Sequence, residues 1–256
     1  MNGAWLTAYG VARRQLRRIL KNPPLLLPAV LFPLLLFAAF AGGLSAFGSS
    51  PEFDYPDYTT FQFVYILLQA ASVAGMQTGL AIAEDFDSGF ARRMMLATSS
   101  RWPLVAGYAL AALVRGALVT AFLIPIGLIA GMEVSGSPLE LLGVFALVLA
   151  LDLIVVLWCA GFAFRMRSLK AAAIFQIPVL MIMFLVPVYT TRELLADWLQ
   201  TVADYNPVTA ILESARGLIV GDPVSLGLAA GVCVGLVAIL LVWVGTALRQ
   251  AEAAGG

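Results

Sequence analysis

Two ionisable residues, Arg115 and Asp152, stand deep inside long apolar runs of this 256-residue chain. A charge in such surroundings needs a partner or a purpose, so each is a candidate for function. Along a helix, Arg115 lies about 16 Å beyond Leu104, and Asp152 about 20 Å before Arg165. Their runs are consecutive, so an Arg115–Asp152 ion pair near the membrane midplane is the expected arrangement. It serves either packing alone or a functional step. No other acid lies as deep, which argues against a proton relay. Uncharged polar residues mark two other runs: Gln69 and Gln77, with Tyr65, Ser72 and Thr78, in one, and Gln176 with Tyr189 in another. Such groups face protein or a cavity rather than lipid. There is no histidine, and Cys159 and Cys233 are each embedded in apolar sequence. That argues against a His/Cys metal site and against a disulfide framework. No nucleophile–base constellation and no G-x-x-x-x-G-K-[ST] phosphate cradle is present, so no catalytic residue, metal or cofactor is assigned to this chain.

The elements that position these residues follow from composition. Hydrophobic residues make up 61% and charged residues 12%, against roughly 25% charged in a soluble domain. Apolar runs approach or exceed the ~20 residues that cross a bilayer as a helix. A barrel would show short alternating strands instead. The expected fold is therefore an all-α integral membrane protein: one membrane domain over 1–256, six transmembrane helices and no nucleotide-binding domain. Residues 1–22 read as an amphipathic interfacial helix, with Trp5, Leu6, Tyr9, Leu16, Ile19 and Leu20 beside five basic residues, halted by Asn22-Pro23-Pro24. Spans are expected at about 24–44, 60–83, 104–131, 141–163, 171–190 and 224–247, the fifth bent or thinned by Pro178 and Pro187. Gly227, Gly231 and Gly235 repeat every fourth residue of the last span, a close-packing face expected to work within the subunit. A cleaved signal is disfavoured by the long polar lead and the weak Leu44-Ser45-Ala46 site.

Lys and Arg set the orientation. Arg13, Arg14, Arg17, Arg18, Lys21, Arg92, Arg93, Arg101, Arg165, Arg167, Lys170 and Arg249 fall on one side of this topology, and only Arg192 and Arg216 on the other. Both termini are therefore expected to be cytoplasmic. Most acids, among them Glu52, Asp54, Asp57, Glu133, Glu140, Glu193, Asp197, Asp204, Glu213 and Asp222, gather on the outer side.

The outer segment 191–222 is expected to form two short helices, Glu193–Val202 and Pro207–Val220, able to re-enter the outer leaflet because their backbone bonds are internal. Asn206 is an N-cap with Pro207 at the first helical position, and Gly221 ends the second helix. Glu213 and Arg216 are spaced to pair on one face. This segment is either a structural lid or a gate.

The stretch WLQTVADYNPVTAILESARGLIVG, 198–221, resembles the C-terminal signature of ATP-binding-cassette type-2 permeases, closest to their daunorubicin-resistance branch. Trp198, Leu199, Asn206, Pro207, Thr209, Arg216 and Gly221 carry the match. A proline usual before the tryptophan is missing from Leu194-Leu195-Ala196-Asp197. The loop after span two is similar as well: Glu84, Asp85, Phe86, Asp87, Gly89, Phe90, Arg92, Arg93, Met94, Met95 and Leu96. Here Phe86 replaces a usual basic residue, and Thr98-Ser99 replaces Thr-Pro.

The resemblance implies that Glu84 to Leu96 is a coupling helix seated on a cytoplasmic ATPase. Physically, Phe86, Phe90, Met94, Met95 and Leu96 could fill an apolar groove while Glu84, Asp85, Asp87, Arg92 and Arg93 set register. The alternative is an interfacial loop whose arginines meet lipid phosphates. The resemblance further implies a permease of an ATP-driven exporter in a bacterial inner membrane. Two such permease subunits, identical or related, would pair with two separate ATPase subunits that bind ATP and Mg. Cargo would be a hydrophobic drug, antibiotic or lipid, with Gln69, Gln77 and Gln176 along the route and Trp198, Asn206, Pro207, Thr209, Glu213, Arg216 and Gly221 at an outer gate. The alternatives are export of a lipid-linked glycan, an ion-driven carrier or a non-transporting scaffold. Lipid is an expected partner, and nucleic acid is not.

Overall fold

The computed structural model describes residues 3–22, 24, 27–50, 53, 55–98 and 100–253. Pro23, Glu52, Asp54 and Ser99, invoked above as helix stop, outer-loop acids and loop residue, lie outside the described residues. All regular structure among those described is helical: α1 (Gly3–Lys21), α2 (Leu27–Phe37, continued by a π turn Ala38–Gly42), α3 (Tyr58–Asp87), α4 (Phe90–Ala97), α5 (Trp102–Ile129), α6 (Pro138–Met166), α7 (Ala172–Phe184), α8 (Asp197–Tyr205), α9 (Pro207–Val220) and α10 (Leu226–Ala253). Four of these, α3, α5, α6 and α10, are long and apolar enough to cross a membrane, while the apolar stretches Leu27–Gly42 and Ala172–Phe184 are shorter.

Burial ranks the long helices. In α3, 83% of the most apolar stretch is buried, against 22% in α10. A helix apolar on all sides is either central or lipid-facing; α3 is the first and α10 the second. Around α3 pack α2, α5, α6, α7 and α9, and α10 lies against α6 and α9. In α1 the side chains of Ala8, Val11, Ala12 and Gln15 are buried, and that face lies on α5, while Trp5, Leu6, Tyr9 and Leu20 stay exposed.

Local chemistry sets most boundaries. The Asp57 carboxylate caps α3 by accepting from Thr60 N–H at 2.6 Å. Ser137 and Glu140 form a reciprocal capping box at the start of α6. In α9, Asn206 Oδ1 accepts from Val208 N–H at 3.0 Å, and Gly221 ends the helix in the left-handed conformation.

Four expectations change. The helix of the fifth apolar run stops at Phe184 rather than continuing to residue 190; Pro187 has no N–H to continue it and restricts the residue before it. The first outer helix begins at Asp197, preceded by a single 3-10 turn, Arg192–Leu194. The helix of the second apolar run, α3, runs on to Asp87, so Glu84 and Asp85 belong to its last turns and not to a loop. Finally, Gly227, Gly231 and Gly235 face open space, with nothing within 4 Å of a Cβ built on any of them. They do not form a packing face within the subunit, because α6 and α9 meet the opposite side of α10, at Ala229, Cys233, Leu240 and Val244.

Candidate functional site at the two ends of the central helix

At the basic end of the molecule, Asp85 is a buried carboxylate (2% exposed) on the last turn of α3. Arg14 of α1 donates to both of its oxygens at 2.7 Å. Gln15 donates to Oδ2 at 2.9 Å, and Tyr108 of α5 donates to the same oxygen at 2.6 Å. One turn further along α1, Arg18 pairs with Glu84. The i, i+4 spacing of Arg14 and Arg18 puts both on one face of α1, opposite two consecutive acids of α3. The hydrogen bond from Arg14 to Asp85 holds the guanidinium above its usual pKa, against the opposing effect of partial burial. A planar, two-pronged Arg–carboxylate pair fixes orientation as well as distance.

This knot holds α4. Gly89 turns the chain with φ +72°, a region in which a side chain would be strained, and α4 begins at the next residue. The Arg14 guanidinium lies 3.8 Å above the Phe90 ring. Phe86 meets Phe164 edge-on, with ring centroids 5.7 Å apart. Asp87 accepts from Leu169 N–H at 3.1 Å. Met95 is fully buried in the core and Met94 packs partly against it. What α4 leaves exposed is Arg92, Arg93, Leu96 and Ala97, Leu96 at 70%.

The apolar face expected to fill a partner's groove is therefore mostly spent inside the chain. Phe86 and Met95 are core residues, Phe90 supports Arg14, and Glu84 and Asp85 hold α1. Gln15 and Tyr108 were not foreseen. Their types gave no signal, since one stands in an amphipathic helix and the other in an apolar run.

At the acidic end, Arg216 of α9 is buried (5% exposed). Its Nε donates to the Phe61 carbonyl at 3.1 Å and its Nη1 to the Pro187 carbonyl at 2.8 Å. Its Cζ lies 3.3 Å above the Phe61 ring. The remaining nitrogen, Nη2, has no hydrogen-bond partner. The expected Glu213–Arg216 pair is thus not made: the arginine turns inward, to carbonyls that α3 and the broken end of α7 offer. Burial holds the Glu213 carboxyl above the usual carboxylate range.

Other carbonyls freed where α7 stops find side chains too. Gln62 donates to Val188 O at 2.8 Å, Tyr58 to Tyr189 O at 2.9 Å, and Asn206 to Ile182 O at 2.8 Å. Irregular backbone among apolar helices is tolerated only when its polar groups are satisfied in this way. Thr209 is buried with its hydroxyl unpartnered, whereas Trp198 of α8 is 64% exposed. Arg192 pairs with Asp204. Between these elements a cavity of about 790 Å³ is lined by Tyr55, Pro187, Arg192, Glu193, Glu213 and Arg216 among others.

A family model, that of the ABC-2 type transporter, matches residues 9–220, from within α1 to the last residue of α9. The chain belongs to the ABC-2 type transporter family. No curated protein matches it. ABC-2 members are transport permeases rather than catalysts, and they associate with an ABC ATPase. The matched stretch of this ABC-2 chain contains both clusters just described.

Between the clusters, the deep charges of this ABC-2 chain are arranged otherwise than expected. Arg115 donates to the Ala74 carbonyl and, at 2.6 Å, to Thr78 Oγ1. Neither Asp152 oxygen has a hydrogen-bond partner. The direct Arg115–Asp152 pair is not formed, because neighbouring residues of a helix project about 100° apart. Asp152 lies against Gly116, where a Cβ would meet its Oδ2 at 2.5 Å, while Arg115 reaches across to α3. Gln69 is fully buried with its Nε2 unpartnered, and Gln77 and Gln176 are half-buried. The structure thus separates Gln69, sealed in the core, from Gln77, which shares a cavity with Arg115.

Proposed function

We propose that this chain is the membrane subunit of an ATP-driven exporter that moves a hydrophobic drug, antibiotic or lipid. The observation that carries the reading is the knot at Asp85. It ties the interfacial helix α1, the central helix α3 and the short helix α4 into one unit, with Arg92, Arg93 and Leu96 turned outward. A push on α4 is then a push on α3, and α3 touches most of the other spans. In this reading α4 is the coupling helix and Arg92, Arg93 and Leu96 meet the ATPase.

The arginine-rich end faces the cytoplasm with both termini, as the Lys/Arg asymmetry supports, and α2 and α7 complete six spans. Two ATPase subunits bind ATP and Mg, and a second permease subunit completes the assembly in a bacterial inner membrane. The α8–α9 region and its 790 Å³ cavity form the outer exit, re-entering the outer leaflet. The chain itself performs no bond chemistry.

The test is purification from native membranes, followed by ATPase assays with and without vanadate. An ABC ATPase that co-purifies, hydrolyses ATP and loses its association when Arg92 and Arg93 are both changed to Glu supports the assignment. A chain that comes down without any ATPase refutes it.

A further inference from the structure

Arg115 is nine-tenths buried (7% exposed), and the two bonds it makes go to neutral acceptors, the Ala74 carbonyl and the Thr78 hydroxyl. Its Nε has no partner. A guanidinium inside an apolar bundle, without a hydrogen-bonded acid among the described residues, is costly unless an anion reaches it. The structure offers a route. A cavity of about 200 Å³ lies between α1, the start of α2 and α3, and Arg115 lines it. Gln15 and Gln77 add polar groups to its wall. Arg18 and Glu84, paired with each other, add no net charge. Ile19 and Leu80 contribute apolar surface. The net charge of the lining is therefore that of Arg115.

Size narrows the occupant. Drug-sized ligands take pockets of roughly 300–1,000 Å³, so this cavity suits a small polar group and not a whole cargo molecule. Its walls combine one cation that no acid contacts directly, two amide side chains and an apolar side. The cavity extends from Arg18 and Ile19 of the interfacial helix α1 along α3 to Arg115, so a head group seated in it is drawn below the interface toward the guanidinium. An anionic head group attached to acyl chains meets all of these conditions.

We propose that this cavity holds the phosphate-bearing head group of a resident anionic membrane lipid, with Arg115 as its counter-charge. The lipid supplies the direct contact that Asp152 does not make and wedges α1 against α3 beside the Asp85 knot. The proposal uses the membrane setting of the exporter reading. Its test needs neither ATP nor the ATPase, so either can fail without the other.

The full-length chain, purified with whatever accompanies it, is placed in nanodiscs of phosphatidylcholine containing a minority of phosphatidylglycerol. It is then washed into detergent, and the lipids retained per chain are counted by mass spectrometry. The wild type should retain phosphatidylglycerol selectively. Arg115→Gln should reduce that retention roughly tenfold, the effect of losing one charge-assisted contact. Leu80→Trp, which fills the cavity while leaving the arginine in place, should do the same and decides the matter if Arg115→Gln does not fold. Arg249→Gln, at an exposed position, should change nothing. Equal retention by wild type and Leu80→Trp overturns the proposal. Displacement by soluble glycerol 3-phosphate would mark a free-phosphate site and overturn the lipid assignment. Release of the lipid on ATP turnover, with its transfer to the other leaflet, would mark it as cargo and overturn the resident role.

Discussion

The two ends of α3 hold an arginine in opposite ways, one half-exposed and one buried. At the basic end, Arg14 meets a carboxylate, and charge is balanced by charge. At the acidic end, Arg216 meets two backbone carbonyls and an aromatic face, and no carboxylate contacts it directly. The first arrangement needs two side chains on two regular helices. The second needs a helix that fails: α7 stops short, and a loose carbonyl beyond it, Pro187 O, becomes one of the two acceptors. A carboxylate pair is easily displaced as a unit, which suits a segment that must move with a partner. An arginine tied to main chain on two elements resists displacement, which suits a hinge post or an outer seal.

Four outcomes would break or sharpen this contrast. The largest concerns Arg216→Met, which strands the Pro187 carbonyl in a buried setting and leaves the Phe61 carbonyl only its helical bond; about 3 kcal/mol of stability should be lost, read as thermal unfolding in detergent. Arg216→Lys should recover little, since an ammonium cannot span both acceptors, and full recovery would mean that charge alone matters there. Next, Asp85→Asn should cost about 1–2 kcal/mol, less because Arg14 is 38% exposed and can turn to water. Cross-linking between α1 and α3 should weaken with it; an unchanged cross-linking yield would remove the knot. Third, a double-mutant cycle of Arg115→Gln with Thr78→Val should show coupling of about 1 kcal/mol. The same cycle with Asp152→Asn should show less, and the reverse order would restore the direct ion pair. Smallest in stability is the Arg92→Glu, Arg93→Glu double change, expected within about 0.5 kcal/mol of wild type. Its effect should appear instead as lost stimulation of ATP hydrolysis.

Some of this was legible before any coordinates. The cap at Asn206, the proline at 207 and the stop at Gly221 are set within a few residues, and α9 spans Pro207–Val220 as expected. The cores of the long apolar runs are equally local facts, because bilayer-length hydrophobicity needs no partner to be recognised. The ends of those runs were harder. Glu84 and Asp85 read as loop because charge is rare in a span, yet α3 continues through them. It can do so because Arg14, Gln15, Tyr108 and Arg18 are there to meet them.

The sequence by itself determined an all-helical chain with an amphipathic first helix, strongly uneven charge, a capped second outer helix and two charged residues at depth. Only the tertiary structure decided who meets whom. Arg216 passed over Glu213, three residues away, for carbonyls 155 and 29 residues distant. Arg115 passed over the acid of the adjacent run for a threonine on α3. Caps and hydrophobic periods depend on neighbours in the chain, so they are written locally. A buried charge chooses among all acceptors that packing brings within about 3 Å. That choice belongs to the geometry of the assembled helices.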